Sequence, residues 1–394
     1  MSHRLISRSP DLKRLQDEGY EVEVKSGHLL IGHVPYVNSR QEIGYGVLAT
    51  TLDLAGDITA IPSDHVAKFA GEHPCNTDGS EIAQIKHSSS RQEYAGGLIL
   101  DHMFSAKPTT GGYTDYYHKM TTYASIISSP ARALDATVTA TTFPVIEAEE
   151  DETVFRYIDT ASSRAEIDLV TGRLALAKIA IVGLGGTGSY ILDLVAKTPV
   201  KEIHLFDGDW FLQHNAFRSP GAASVDELRS RPKKVGYLSD QYSRMRHSII
   251  AHDYYLDASN VENLHGMDFV FLSLDNGSAK RVVVANLEEF GIPFVDVGMG
   301  LEAAEGSLGG IVRVTTSTPQ NRGHVSANGR IPFSNGDVNN EYSHNIQIAD
   351  LNALNAALAV IKWKKLFGFY RDLGHEHYST YTIDQNLLIN EDQQ

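Results

Sequence analysis

Gly183-Leu-Gly185-Gly186-Thr-Gly188 follows directly on the apolar run Ile179 to Val182. It opens a segment, Ser189 to Lys197, that carries Ile191, Leu192, Leu194, Val195 and Ala196 and reads as a helix. A glycine turn between a buried strand and a helix lets backbone approach a phosphate. The free N–H groups and partial positive charge of the helix N-terminus then favour an anion there. A second apolar run, Glu202 to Phe206, ends in Asp207, an acid at the distance where a ribose hydroxyl would be held. The chemistry expected is nucleotide binding. Taken alone, the glycine pattern most often means a nicotinamide or flavin dinucleotide, NAD or FAD; a turn that only packs helix on strand is the lesser alternative, given the acid that follows.

Residues downstream narrow this reading. Asp207-Gly-Asp209 continues to Asn215-Ala-Phe-Arg218; Arg231-Pro-Lys233-Lys234-Val235 follows, and a run Phe269 to Leu274 ends in Asp275-Asn276 with Arg281 beyond. The four pieces in this order resemble the ThiF/MoeB and ubiquitin-activating superfamily, from about Ala161 to the C-terminus. The resemblance implies a doubly wound, Rossmann-like, mostly parallel α/β sheet that binds ATP and Mg²⁺. Gly183, Gly185, Gly186, Gly188, Asp207, Asp209 and Asn276 would hold the nucleotide. Asn215, Arg218 and Lys234 would surround the triphosphate and neutralise charge as pyrophosphate leaves, and Asp275 would ligate Mg²⁺ as a hard oxygen donor. Either Lys233 or Lys234 fits the register; Lys234 is chosen because it directly precedes Val235. Arg164 stands where family members place an arginine that crosses a homodimer interface to the phosphates.

The activity so implied is adenylation of the C-terminal carboxylate of a ubiquitin-like protein, with a conjugating enzyme as a further partner. Adenylation of a different carboxylate, on a peptide or an RNA, is the alternative, beside an NAD- or FAD-binding protein or a scaffold on the same fold. The chain has one cysteine, Cys75. One thiol excludes an intrachain disulfide and a Cys₄ zinc site. The segment Thr315 to Asn345, where thioester-forming relatives keep their cysteine, has none. The adenylate is therefore expected to pass directly to a partner, or to a hydroxyl such as Ser343 beside His344.

The 394 residues, 42% of them hydrophobic, can bury a large core and suit two domains. With 34 basic against 49 acidic side chains the formal charge is −15, which argues against nucleic-acid or anionic-membrane binding. No run has signal-peptide character or membrane-spanning length, so the cytoplasm is the expected location.

These residues need elements to position them. A smaller β-rich α+β domain, residues 1–148, is expected to precede the ThiF-type domain, residues 149–394, with the acidic stretch Ile146 to Thr153 as linker. In the first domain, Met1 to Tyr20 reads as one helix, His28 to Ile58 as strands, and Tyr113 onward as a helix stopped by Pro130. The stripe Tyr116, Tyr117, Tyr123 reads as packing. His73-Pro74, Gly79 and Ile82-Ala83 resemble the loop of ubiquitin-conjugating domains with alanine in the cysteine slot; an ordinary turn is the plainer account. His73, Cys75, His87 and His102 fit no zinc spacing. In the second domain the expected order is helix Val225 to Arg246, strands Ser248 to Tyr255 and Phe269 to Leu274, helix Ser278 to Phe290 and strand Pro293 to Val297. A long helix, Ile346 to Tyr370, and a last strand, His377 to Ile383, follow. Whether Asp350, Asn352 and Asn355 face the site or solvent is not decided by periodicity.

Overall fold

A computed structural model describes residues 2–108, 111–148, 153–304, 306–333 and 346–392. It divides into two compact units, Met1–Ile146 and Glu147–Gln394.

The first unit opens with α1 (Ser2–Arg8) and α2 (Pro10–Asp17). They are two helices rather than one because Pro10 disfavours helical backbone at the residue before it, and Ser9 is extended at φ −97°, ψ 109°. Then come β1 (Glu21–Lys25), β2 (His28–Val37), β3 (Ile43–Thr51), the small hairpin β4 (Leu54–Ala55) and β5 (Ile58–Thr59), β6 (Val66–Ala70), β7 (Lys86–Tyr94) and β8 (Leu98–Ser105). The six longer strands form an antiparallel sheet in the order β1-β2-β3-β6-β8-β7. Helix α3 (Tyr116–Leu134) buries Tyr116, Met120, Tyr123 and Ile127 against it. Pro130 does not stop this helix, contrary to the sequence expectation. One missing N–H is outweighed by burial of Ile127 and Ala131 on either side of it. The tyrosines are packing residues, as expected: Tyr116 and Tyr123 are fully buried.

The second unit begins by pairing Glu147 with Tyr157, and continues through α4 (Thr160–Arg164) and α5 (Asp168–Thr171). Its centre is β9 (Lys178–Val182), α6 (Gly186–Val195), β10 (Glu202–Phe206), α7 (Gln213–Ala216), α8 (Val225–Ser230), α9 (Lys234–Tyr242) and β11 (Ile249–His252). The chain then crosses to the other side of β9 with β12 (Phe269–Leu272), α10 (Gly277–Phe290), β13 (Phe294–Ala304), β14 (Ser307–Ser317), α11 (Gly323–Ala327), α12 (Ala349–Leu366), β15 (Tyr378–Thr382) and β16 (Leu387–Glu391). Strand order is β11-β10-β9-β12-β13-β14-β15-β16. The first five strands are parallel, the doubly wound sheet expected, and β14 to β16 extend it antiparallel. Alternation along the strands builds two cores. Ile179, Ile181, Phe269 and Phe271 face α6, α9 and α12, whereas Ala180, Val182, Val270 and Leu272 face α10.

Two expectations are corrected here. The helix Val225 to Arg246 is two helices, because Pro232 pushes Arg231 out of the helical region and it adopts φ +50°. The strand at Pro293 runs on to Ala304 and returns as β14, a hairpin whose glycines conceal strand pattern in the sequence. The proposed Ser343 and His344, and residues 149–152 of the acidic linker, lie outside the described residues.

Candidate nucleotide site

Reversal of strand order on either side of β9 opens a crevice at the carboxyl ends of β9 and β12. The glycine turn sits there, and three of its four glycines, Gly183, Gly186 and Gly188, have a steric reason. Gly183 adopts φ +87°, and a Cβ would stand 2.5 Å from the Ser273 carbonyl oxygen; at Gly188 it would stand 1.9 Å from the Gly183 oxygen. Gly186 lies under Asn352 of α12, whose Nδ2 would be 2.0 Å from a Cβ. At Gly185 the space is open.

A cavity of about 480 Å³ lies over this turn. Gly183, Gly185, Gly186, Asp207, Asp209, Arg218, Lys234, Asp275 and Asn276 all line it. Asp207, nearly buried, accepts the Leu184 N–H at 2.7 Å and the Asp209 N–H at 2.8 Å, tying the turn to the end of β10. Lys234 Nζ donates to Asp209 at 2.7 Å and lies 3.5 Å from Asp207. Burial opposes ionisation of Asp209, but hydrogen bonds from Lys234 and Tyr255 outweigh it and hold its carboxyl below the usual range. The same bond to Asp209, ahead of burial, pushes the Tyr255 phenol up to about 12. Arg218 Nε is buried and has no hydrogen-bond partner among the described residues. A guanidinium with an unspent donor beside a glycine turn is suited to an anion.

The two adjacent lysines part company. Lys234 lines the cavity; Lys233 donates to the Gly208 carbonyl oxygen at 2.7 Å and lies over the Trp210 ring. Three expected site residues are not in the cavity wall. Asn215 is buried, and its Oδ1 accepts the Leu212 N–H at 2.8 Å, closing the turn that leads to Arg218. Gly188 packs beneath the turn, and Arg164 is exposed at the end of α4. Asn276 both lines the cavity and caps α10, accepting the Ala279 N–H at 3.1 Å.

A second cavity, about 530 Å³, adjoins the first and shares Thr187, Ser273, Leu274, Asp275 and Gln347 with it. Sequence reasoning missed its charged wall. Lys280 and Arg313 both pair with the fully buried Asp296, at 2.8 and 2.6 Å. A signal was present for Lys280: it falls at helical spacing with the buried Val283, Val284 and Leu287, whereas Arg281 is exposed and lies over Phe333. Asn352 and Asn355 are buried in the same wall, while Asp350 is exposed.

Asp275, exposed in the wall common to both cavities, fits the part of a single carboxylate ligand to a nucleotide-bound Mg²⁺. Among the described residues no three His, Cys, Asp or Glu side chains form a protein-only metal site. In the first unit, His73 packs edge-on to His102 at 5.0 Å, and Cys75 is buried with its thiol pushed up, chiefly by burial. Among the described residues no helix is long and apolar enough to cross a membrane.

No curated protein matches the chain. Solved structures similar to it include E. coli MccB with MccA, 16% identical over 78% of this chain and 96% of that one, TM-score 0.45. E. coli tRNA N6-threonylcarbamoyladenosine dehydratase, TcdA, is 20% identical over 52% and 92%, TM-score 0.39. PaaA is 16% identical over 57% and 75%, TM-score 0.44. Residues 10–160 match a family described as a domain of unknown function, DUF6791. Residues 164–354 match the ThiF family, and the second domain of this chain is a ThiF family domain.

Proposed function

We propose that the second domain is an adenylyltransferase that activates a carboxylate with ATP. The observation that carries this reading is Arg218 Nε, without a partner among the described residues and gathered with Lys234 and Asp207 over the glycine turn of a ThiF domain. Asp207 accepts from the ribose, the N–H groups at the start of α6 receive phosphate oxygens, and Arg218 and Lys234 carry the charge of the triphosphate. A carboxylate oxygen of the donor forms a bond to the α-phosphorus as the bond from that phosphorus to the α,β-bridging oxygen breaks. Pyrophosphate leaves and an acyl-adenylate remains. Mg²⁺ held through Asp275 would supply charge neutralisation at the phosphates. Such a displacement needs positioning and cations more than covalent help.

The donor in this reading is the C-terminus of a ubiquitin-like protein, and the enzyme acts in the cytoplasm as a homodimer, Arg164 serving the other subunit's site. The second cavity, small and open to the first, equally suits the end of a short peptide. With no cysteine in the ThiF domain the adenylate is handed on without a thioester there. The first domain, with its sole thiol buried and Ala83 exposed in the loop that resembles a conjugating enzyme, would bind a partner rather than carry an acyl group. Incubation with ATP and candidate proteins ending in glycine should release pyrophosphate only when a donor is present. Hydrolysis to ADP, or no nucleotide binding, would reject the reading.

A further inference from the structure

The first unit pairs a serine with a histidine at the edge of its sheet. Ser89 on β7 and His102 on β8 are direct partners across the ladder, so their side chains stand on one face, and Ser89 Oγ lies 2.9 Å from His102 Nδ1. The other ring nitrogen, Nε2, lies 3.1 Å from the Gly71 carbonyl oxygen. A carbonyl oxygen can only accept, so Nε2 carries the proton. Nδ1 of the neutral ring is then bare, and the Ser89 hydroxyl donates to it. Gly71 is itself held, its N–H donating to Asp101 Oδ2 at 3.2 Å. A hydroxyl, an imidazole that accepts its proton and a fixed group that orients the imidazole are the parts that activate a serine.

The surroundings suit an acyl group. Strand β7 ends the sheet order, and Ser88, Ser89 and Ser90 are exposed on it. The outward N–H groups of an edge strand are donors that a developing oxyanion can use. The register of β7 on β8 shifts between Ser89 and Gln92, an irregularity of the kind that re-aims side chains beside reactive centres. The His102 ring lies nearly parallel to the fully buried Phe104, and His73 stands edge-on to both, at 5.0 and 5.6 Å, so the base rests on an apolar floor.

We propose that Ser89 and His102 form a second reactive centre, one that hydrolyses acyl esters. Ser89 Oγ attacks the ester carbonyl carbon as its proton passes to His102 Nδ1. The imidazole returns that proton to the leaving alcohol oxygen as the ester C–O bond breaks. Water then repeats both steps on acyl-Ser89, freeing the acid and the hydroxyl, so the serine ester is an intermediate and not a store. The centre needs no nucleotide and stands apart from the adenylation reading.

The test is hydrolysis of p-nitrophenyl butyrate by the full chain without ATP, together with labelling by a fluorophosphonate probe located by peptide mass spectrometry. Label on Ser89 is expected. Ser89→Ala and His102→Gln should each lower hydrolysis about a hundredfold. Ser88→Ala, whose hydroxyl lies 3.2 Å from His87 Nδ1 instead, should keep the wild-type rate. Ser89 is exposed, so thermal unfolding of Ser89→Ala should match the wild type and separate lost chemistry from lost fold. Hydrolysis that persists in Ser89→Ala, label on another residue, or neither hydrolysis nor label in the wild type overturns the inference.

Discussion

At the scale of single residues, the nucleotide cavity is a set of polar groups with unequal freedom. Asp207 and Asp209 are already engaged by the turn and by Lys234, whereas Arg218 and Asp275 face the cavity with capacity to spare. Asp275→Asn removes a charge from an exposed side chain and should leave thermal unfolding unchanged while exchange of pyrophosphate into ATP falls at least a hundredfold. Wild-type exchange in that variant would remove Asp275 from the mechanism. The glycines and Asp207 were legible in the sequence because they fall in one stretch of strand, turn, helix and strand; Lys234 lies further on, at the start of α9, and only its place before Val235 singled it out from Lys233. Asn355, Asp296 and Arg313 were not legible. They come from strands and a helix far apart in the chain, and no local pattern reveals that a hairpin and the last long helix enclose one cavity.

Elements hold these residues by unequal means. Helix α6 is fixed at its far end by Arg246, fully buried, whose guanidinium donates to the carbonyl oxygens of Ala196, Thr198 and Val200. Burial pushes this guanidinium down to about 10. Arg246→Met leaves those carbonyls unpaired and should destabilise the ThiF domain by about 2–4 kcal/mol in urea titration. A second prediction concerns β10 and β11, where His204 Nδ1 and His252 Nε2 lie 3.0 Å apart. Burial depresses both below the ordinary value of 6.5. As pH falls through about 6.5 the unfolded chain takes up protons that the folded chain refuses, so stability present at neutral pH is lost until the folded values are passed. Between pH 7 and 5.5 the urea midpoint should fall less steeply in His252→Phe, which keeps the stack on Phe206, than in the wild type. An identical slope would show that the pair does not matter. Element types were readable where alternation was strong, as in β9 and β12. Boundaries failed at Pro130, where packing overrode a missing N–H, and at Pro232, where a local constraint broke an apparently continuous helix.

For the whole molecule, the cores of the two units are built from separate residues, two sets between Ile6 and Ala140 and two from Leu174 onward. Residues 1–146 and 147–394 produced separately should each fold with a cooperative thermal transition; a piece lacking one would show that its core depends on the other. The ThiF half was legible because chemistry and fold share the same motifs. The first half was readable only as β-rich, since its function leaves no comparable spacing of reactive residues. The central claim, that the ThiF domain activates a carboxylate with ATP, is tested most directly by exchange of labelled pyrophosphate into ATP. The wild type should exchange only when a carboxylate donor is present, and Arg218→Ala should lose at least a hundredfold of that rate while remaining folded. Equal exchange in Arg218→Ala, or bound ATP with no exchange for any protein or peptide acid, would contradict it.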